Sequence, residues 1–289
     1  MSKIFLIAGP TASGKSELAI KIAKKEKGEI INADSMQVYK DFQVLTARPQ
    51  KKDQKNIKHH MYGFVSLNKY FSTGEWLKIV IKKIRQIQKK GKVPIIVGGT
   101  GLYFQSLLNG LVKIPNIPKK IRNNSRQLQE RLGQKDFYKL LIKLDKKVKN
   151  KFDPNDKQRS LRAYEVKKYT KKSLFEWFKK TKPVFNNNLF YKIYINLDKK
   201  ILQSRIEKRI GKMFKNGAIN EVQKIIKKKV NKDGSYNKII GFLEIKRYLK
   251  KEISLVQARE LMLIKTRQYA KRQITWSNSR MKDWNKLSF

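Results

Sequence analysis

Eight residues near the amino terminus, Gly9, Pro10, Thr11, Ala12, Ser13, Gly14, Lys15 and Ser16, fit the pattern G-x-x-x-x-G-K-[ST]. Glycines let backbone amides approach phosphate oxygens, and the start of a following helix adds its dipole. Lys15 can neutralise a terminal phosphate, and the Ser16 hydroxyl can hold Mg²⁺. A surface turn capped by Ser16 is the chemically inert alternative. The cradle alone does not separate nucleotide hydrolysis, phosphoryl transfer and the binding of some other diphosphate.

Two further groups narrow the choice. Many P-loop hydrolases end an apolar strand in a metal-holding Asp, but the run Val93 to Val97 ends in Gly98, Gly99, Thr100 and Gly101. That weakens a motor or hydrolase reading and suggests a second close approach of backbone to ligand, with Thr100 as donor; an ordinary strand-to-helix turn would look the same. Asp34 closes another short apolar stretch. In open α/β sheets this edge binds ligands, and a carboxylate there can accept a proton from a nucleophile aimed at the cradled group. Asp is equally common as a cap of a turn or helix.

These residues need elements to hold them. Ile4 to Ala8 reads as a buried parallel strand, and Ser16 to about Lys25 has helical apolar spacing. Further strands are predicted at Glu29 to Ala33, Val93 to Val97 and Tyr191 to Asn196, with a basic helix around Trp76 to Lys90. Strands alternating with helices imply an α/β fold: a P-loop NTPase-like parallel sheet flanked by helices. From about Lys119 the texture turns wholly helical, which predicts a helical insertion domain over 119–185 between core segments 1–118 and 186–289. Long basic helices are expected from Lys199 to Lys229 and from Ser254 to Trp276.

The 289 residues are 40% hydrophobic, enough for a buried core. Lysine plus arginine number 69 against 22 acids, a net charge of +47, which attracts polyanions and nucleic acid first. Compositional bias toward lysine would give the same figure. There is no cysteine, which excludes disulfides and thiolate chemistry, and the two histidines, His59 and His60, lack metalloprotease spacing. No apolar run suits a signal peptide or a membrane span, so a soluble cytoplasmic monomer is expected.

Taken together the blocks resemble the tRNA dimethylallyltransferases. They are Gly9 to Ser16, Asp34 to Tyr39, Gly98 to Tyr103, Gln158 to Val166 and Thr266 to Trp276, in family order across nearly the whole chain. The resemblance implies transfer of a dimethylallyl group from dimethylallyl diphosphate to N6 of the adenosine 3′ of a tRNA anticodon, with Mg²⁺ as cofactor. Asp34 would be the base, with Ser35, Met36 and Gln37 lining the adenine. Lys15, Thr11 and Thr100 would face the diphosphate, and Arg209 would add a second cationic clamp. Arg122, the run Gln158, Arg159, Ser160, Leu161 and Arg162, and the stretch Asn237 to Phe242 with Ile240 and Gly241 would contact the anticodon stem-loop. Arg267 and Lys271 form one basic ridge at i, i+4, and Tyr269 and Trp276 read as core packing.

The chain departs from the family pattern at Leu45, where a glycine usually precedes the Thr-Ala-basic-Pro run, here Thr46 to Pro49. Two other classes of function use the same residues. A small-molecule or nucleoside kinase would place ATP on the P-loop and aim Asp34 at a hydroxyl. A non-catalytic basic RNA-binding protein would keep the P-loop as a relic.

Overall fold

The computed structural model describes residues 3–179, 181–228, 230 and 234–288. Residues up to Leu108 and from Phe185 onward form one compact unit, and Asn109–Val184 form a second.

In the first unit the elements run β1 (Ile4–Ala8), α1 (Lys15–Lys25), β2 (Gly28–Asn32), β3 (His59–His60), α2 (Thr73–Lys89), β4 (Val93–Gly98) and α3 (Gly101–Asn109). The second unit holds α4 (Lys119–Leu144), α5 (Lys157–Thr170) and α6 (Leu174–Phe178). The chain returns through β5 (Phe190–Asn196), α7 (Lys199–Lys215), α8 (Ala218–Ile226), α9 (Phe242–Leu249), α10 (Leu255–Arg280) and β6 (Asn285–Ser288). All strand pairs are parallel, in the order β3-β2-β4-β1-β5-β6.

Both faces of the sheet are covered, which is why β1 is an unbroken apolar run. Alternation of side chains sends Phe5 and Ile7 into one cluster and Ile4, Leu6 and Ala8 into the other. Helix α2 buries Trp76, Leu77, Val80, Ile84 and Ile87, one stripe at helical spacing, and is started by a capping box between Ser72 and Glu75.

Two strands have no counterpart in the apolar pattern. β3 is held instead by polar pairing: His60 Nε2 lies 2.6 Å from Glu29 Oε2, and Lys92 Nζ lies 3.0 Å from Oε1 of the same buried carboxylate. β6, Asn-Lys-Leu-Ser, is an edge strand with exposed polar residues, so no apolar run announced it. The helix expected from Lys199 to Lys229 is two helices, broken where Gly217 takes φ 89°. Its expected end, Lys229, lies outside the described residues.

In the second unit, Phe137, Leu141, Val148, Ala163 and Val166 make a separate apolar core. α4 is interrupted at Gly133, whose φ is 71°, and α5 is capped by Asp156, which accepts from the Arg159 amide at 3.0 Å.

Candidate functional site

The register of the sheet brings three turns side by side. Ala8 pairs with Gly98 and Asn32 with Val97, so β1, β4 and β2 end at one level and release the turns carrying Lys15, Thr100 and Asp34 at the carboxyl edge.

A hollow of about 270 Å³ opens there. It is lined by Thr11, Ala12, Ser13, Gly14, Lys15 and Ser16 of the phosphate turn, by Asp34 and Gln37, and by Arg209 from α7. Lys15 Nζ folds back to donate to the Pro10 carbonyl at 2.5 Å. Desolvation pulls its ammonium down to about 7, against the Asp34 charge, which supports it, and with the Arg209 charge, which does not. The site is thus poised to gain an anion. Arg209 donates to the Thr46 carbonyl at 3.2 Å, and burial lowers its guanidinium from its ordinary value while Asp34 opposes this.

Asp34 is fixed by its own turn. Its Oδ1 accepts from Met36 N at 2.8 Å and Gln37 N at 3.3 Å, while Oδ2 has no hydrogen-bond partner among the described residues. Fully buried Asn32 clasps the backbone on both sides: Oδ1 accepts from Asp34 N at 2.9 Å and Nδ2 donates to Asp34 O at 3.0 Å. Around the carboxylate, burial first and the Asp34 charge second push the Tyr62, Tyr103 and Tyr269 hydroxyls upward. The phenols therefore stay protonated at neutral pH.

Other expected site residues sit elsewhere. Thr100 lines a neighbouring hollow of about 260 Å³, with Gly9 and Ser35. Its Oγ1 accepts from Ser35 N at 2.9 Å and donates to Ser35 Oγ at 3.3 Å, so it braces the Asp34 turn. Pro10 lies behind the cradle as the acceptor for Lys15. Met36 packs against the apolar cluster. Tyr269 and Trp276, read as core, line the second hollow, and Trp276 lies over Gly101 so closely that a Cβ there would meet the indole at 2.3 Å.

The expected RNA contacts divide. On the second unit, Gln158 and Arg159 are exposed, Arg159 pairing with Asp156 at 3.2 Å. Arg162 and Arg122 are half-buried beside Glu165; Arg162 Nη1 lies 3.6 Å from its Oε2. Arg122 Nε is buried without a partner. Ser160 is fully buried and accepts from Gln134 Nε2 at 3.0 Å, pinning α5 to α4, and Leu161 leans on the same core. Gly241 is likewise interior, with φ 101° and a space in which a Cβ would meet Leu45 Cδ2 and Met262 Cε, each at 2.7 Å. Ile240 packs on that cluster. Leu45, the departure from the family pattern, thus fills room that Gly241 leaves. Arg267 gives its guanidinium to Glu207 and ties α10 to α7, while Lys271 is exposed.

Three residues escaped the sequence reading. Asn32 positions Asp34. Arg205, one turn before Arg209 on α7, donates to the Ser13 carbonyl at 3.3 Å; that i, i+4 spacing is the signal that could have found it. Gln273 accepts from Thr11 N at 2.8 Å and donates to Gly99 O at 2.9 Å, and nothing in its local sequence announces this. A third, open hollow of about 440 Å³ adjoins the first, sharing Ala12, Gly14, Ala47 and Arg209 and edged by Arg205, Lys208 and Lys212.

Among the described residues no group of three or more His, Asp or Glu could hold a metal by itself. Ser16 lines the hollow at the first turn of α1, an oxygen donor of the kind Mg²⁺ takes when substrate phosphates and water complete its shell. No helix among the described residues is long and apolar enough to cross a membrane.

A phosphate turn on a central strand, faced by a carboxylate turn two strands away and a cation from a later helix, defines a P-loop α/β protein. A family model described as IPP transferase matches residues 37–280. A tRNA dimethylallyltransferase of Pelagibacter ubique (strain HTCC1062) is 61% identical over 286 residues, covering 99% of this chain and 91% of the relative. One from Rickettsia massiliae (strain Mtu5) is 42% identical over 284 residues, with 97% and 77% covered. Among solved structures, a tRNA delta(2)-isopentenylpyrophosphate transferase from Staphylococcus epidermidis matches with TM-score 0.69 at 36% identity, covering 99% of this chain and 93% of that one. A eukaryotic dimethylallyltransferase acting on tRNA matches with TM-score 0.85 at 30% identity, covering 100% and 74%. The chain belongs to the IPP transferase family.

Proposed function

We propose that the protein transfers the dimethylallyl group of dimethylallyl diphosphate to N6 of the adenosine 3′ of the anticodon, tRNA position 37, and releases diphosphate. The observation that carries this is the single hollow in which Lys15 and Arg209 stand with Asp34. The C1–O bond to the diphosphate breaks and its electron pair leaves with the oxygen; the N6–C1 bond forms; the N6 proton passes to Asp34. Cations and amides of the phosphate turn stabilise charge gathering on the departing diphosphate. Asp34 matters because an aromatic amine is a poor nucleophile until its proton is drawn away. Ser16 would hold Mg²⁺ together with diphosphate oxygens, and the ion supplies further charge neutralisation.

The acceptor adenine has to leave the anticodon-loop stack, which costs less in a single-stranded loop than in a duplex. Exposed Gln158 and Arg159, with half-buried Arg122 and Arg162, supply donors for the stem-loop on the helical unit. The protein acts as a monomer, which its mass in solution checks.

Purified protein, Mg²⁺, dimethylallyl diphosphate and an unmodified anticodon stem-loop should yield RNA heavier by one dimethylallyl group. Replacing Asp34 by Asn or Lys15 by Ala should lower turnover by roughly 10²-fold or more, while RNA binding survives the Asp34 change. ATP-dependent phosphorylation of a small molecule without alkylation would instead establish a kinase. Unchanged RNA affinity with no product from any diphosphate would establish a binding protein.

A further inference from the structure

On α8, outside the hollow, the Glu221 carboxylate gathers three consecutive backbone amides. Its Oε1 accepts from Gln43 N and Val44 N, each at 2.7 Å, and its Oε2 from Leu45 N at 3.0 Å. Converging amides of this kind form an anion nest, and here the chain's own side chain fills it. The next residue, Thr46, turns its carbonyl the other way. That oxygen accepts from Arg209 Nη2 at 3.2 Å and from Gln37 Nε2 at 3.0 Å, and Gln37 also donates to Ala47 O at 3.3 Å. Arg209, Gln37 and Ala47 all line the hollow.

We propose that Glu221 is a positioning residue, which through the amides of residues 43–45 fixes the Thr46 carbonyl that aims the Arg209 guanidinium at the diphosphate. The proposal rests on the prenyl transfer proposed above. Glu221 touches no reacting atom. Its three hydrogen bonds go to a carboxylate and two of them are short, and removing it leaves a row of amides without an acceptor. The segment that relaxes is the one carrying the acceptor of Arg209. Helices α7 and α8 follow one another in the chain, so Arg209 and Glu221 hold this segment from two consecutive helices.

The test is a double-mutant cycle between Glu221 and Arg209, with inorganic diphosphate affinity in Mg²⁺ as one readout and transfer to the stem-loop as the other. Glu221→Ala should weaken diphosphate binding and lower kcat, each by about tenfold, the loss expected for charge-assisted hydrogen bonds. Affinity for the stem-loop in the absence of diphosphate should fall less than diphosphate affinity, because the donors expected on the helical unit are untouched and only Gln37, held by the Thr46 and Ala47 carbonyls, connects the relaxed segment to the adenine. Glu221→Gln, which keeps an acceptor for the Gln43 and Val44 amides, should recover most of both and serves as the probe if the alanine variant is unstable. Placed on Arg209→Ala, either change should cost less than about twofold more, since coupled residues are not additive. Losses that multiply, or full diphosphate affinity in folded Glu221→Ala, would overturn the proposal. Wild-type protein that binds diphosphate but alkylates no RNA would sink the prenyl-transfer function while the diphosphate cycle still judges Glu221.

Discussion

Gln273 accepts a hydrogen bond from the Thr11 amide at 2.8 Å across 262 residues of sequence, and its other arm donates to the Gly99 carbonyl at 2.9 Å. One carboxamide thereby fastens α10 to both glycine turns. Gln273→Ala should cost about 1–3 kcal/mol of stability, the penalty for leaving buried partners unpaired, measured by denaturant unfolding. Gln273→Glu should do worse for the donor: it sets a carboxylate against the Gly99 carbonyl and adds negative charge beside the phosphate turn. A donor KM for the Glu variant below that of the Ala variant would contradict the assigned geometry.

Lys15 should titrate near neutrality in the free protein. With its ammonium held down to about 7 by burial, Lys15 is largely neutral at pH 8, and a bound anion favours the charged form. Diphosphate binding at pH 8 should therefore take up a proton that binding at pH 6 does not. Calorimetry in buffers of different ionisation enthalpy reads this directly, and subtracting Lys15→Met removes the ligand's own titration. Equal proton uptake by the two proteins at pH 8 would refute it.

Gly101 is fixed by the Trp276 indole, 2.3 Å from where a Cβ would stand. Gly101→Ala should destabilise by about 1–3 kcal/mol through overpacking. Combining it with Trp276→Leu should cost less than the two single changes together, because the second removes what the first collides with. Additive losses in thermal unfolding would mean that the clash is not the cause.

Asn32 holds the peptide on both sides of Asp34 without lining the hollow. Asn32→Ala should reduce kcat by roughly 10- to 100-fold, as misplacing a catalytic group by about 1 Å does. RNA affinity, measured by filter binding at fixed salt, should be unchanged. A variant that loses RNA affinity in step with kcat would point to a wider structural defect.

What was legible in the sequence was local. An apolar run followed by glycine and lysine identifies β1 and its turn, and the Asp34 and Thr100 turns follow from the same strand-then-turn logic. The basic helix around Trp76 to Lys90, observed as α2, is equally local. What stayed hidden is carried by ordinary polar residues whose partners are distant backbone atoms. Asn32, Gln273 and Glu221 are of types common on any surface, and no spacing rule links Glu221 to amides 176–178 residues away. The same blindness hides the packing of Ser160, a buried hydrogen-bond partner, and of Gly241, a space left for Leu45 and Met262. β6 was missed because an edge strand needs no apolar pattern.

The adjacency of β2, β4 and β1 means that the Asp34 turn and the phosphate turn are spaced by the peptide backbone itself. Two inter-strand steps amount to roughly 10 Å, a ruler made of amide hydrogen bonds and indifferent to what the solvent side of the fold is made of. A chain can therefore carry a net charge of +47, as this one does, without altering the spacing of those two turns. In the proposed transfer, discrimination among longer or hydroxylated prenyl chains would fall to the walls of the hollow, because the ruler reads only the end of the chain that reacts.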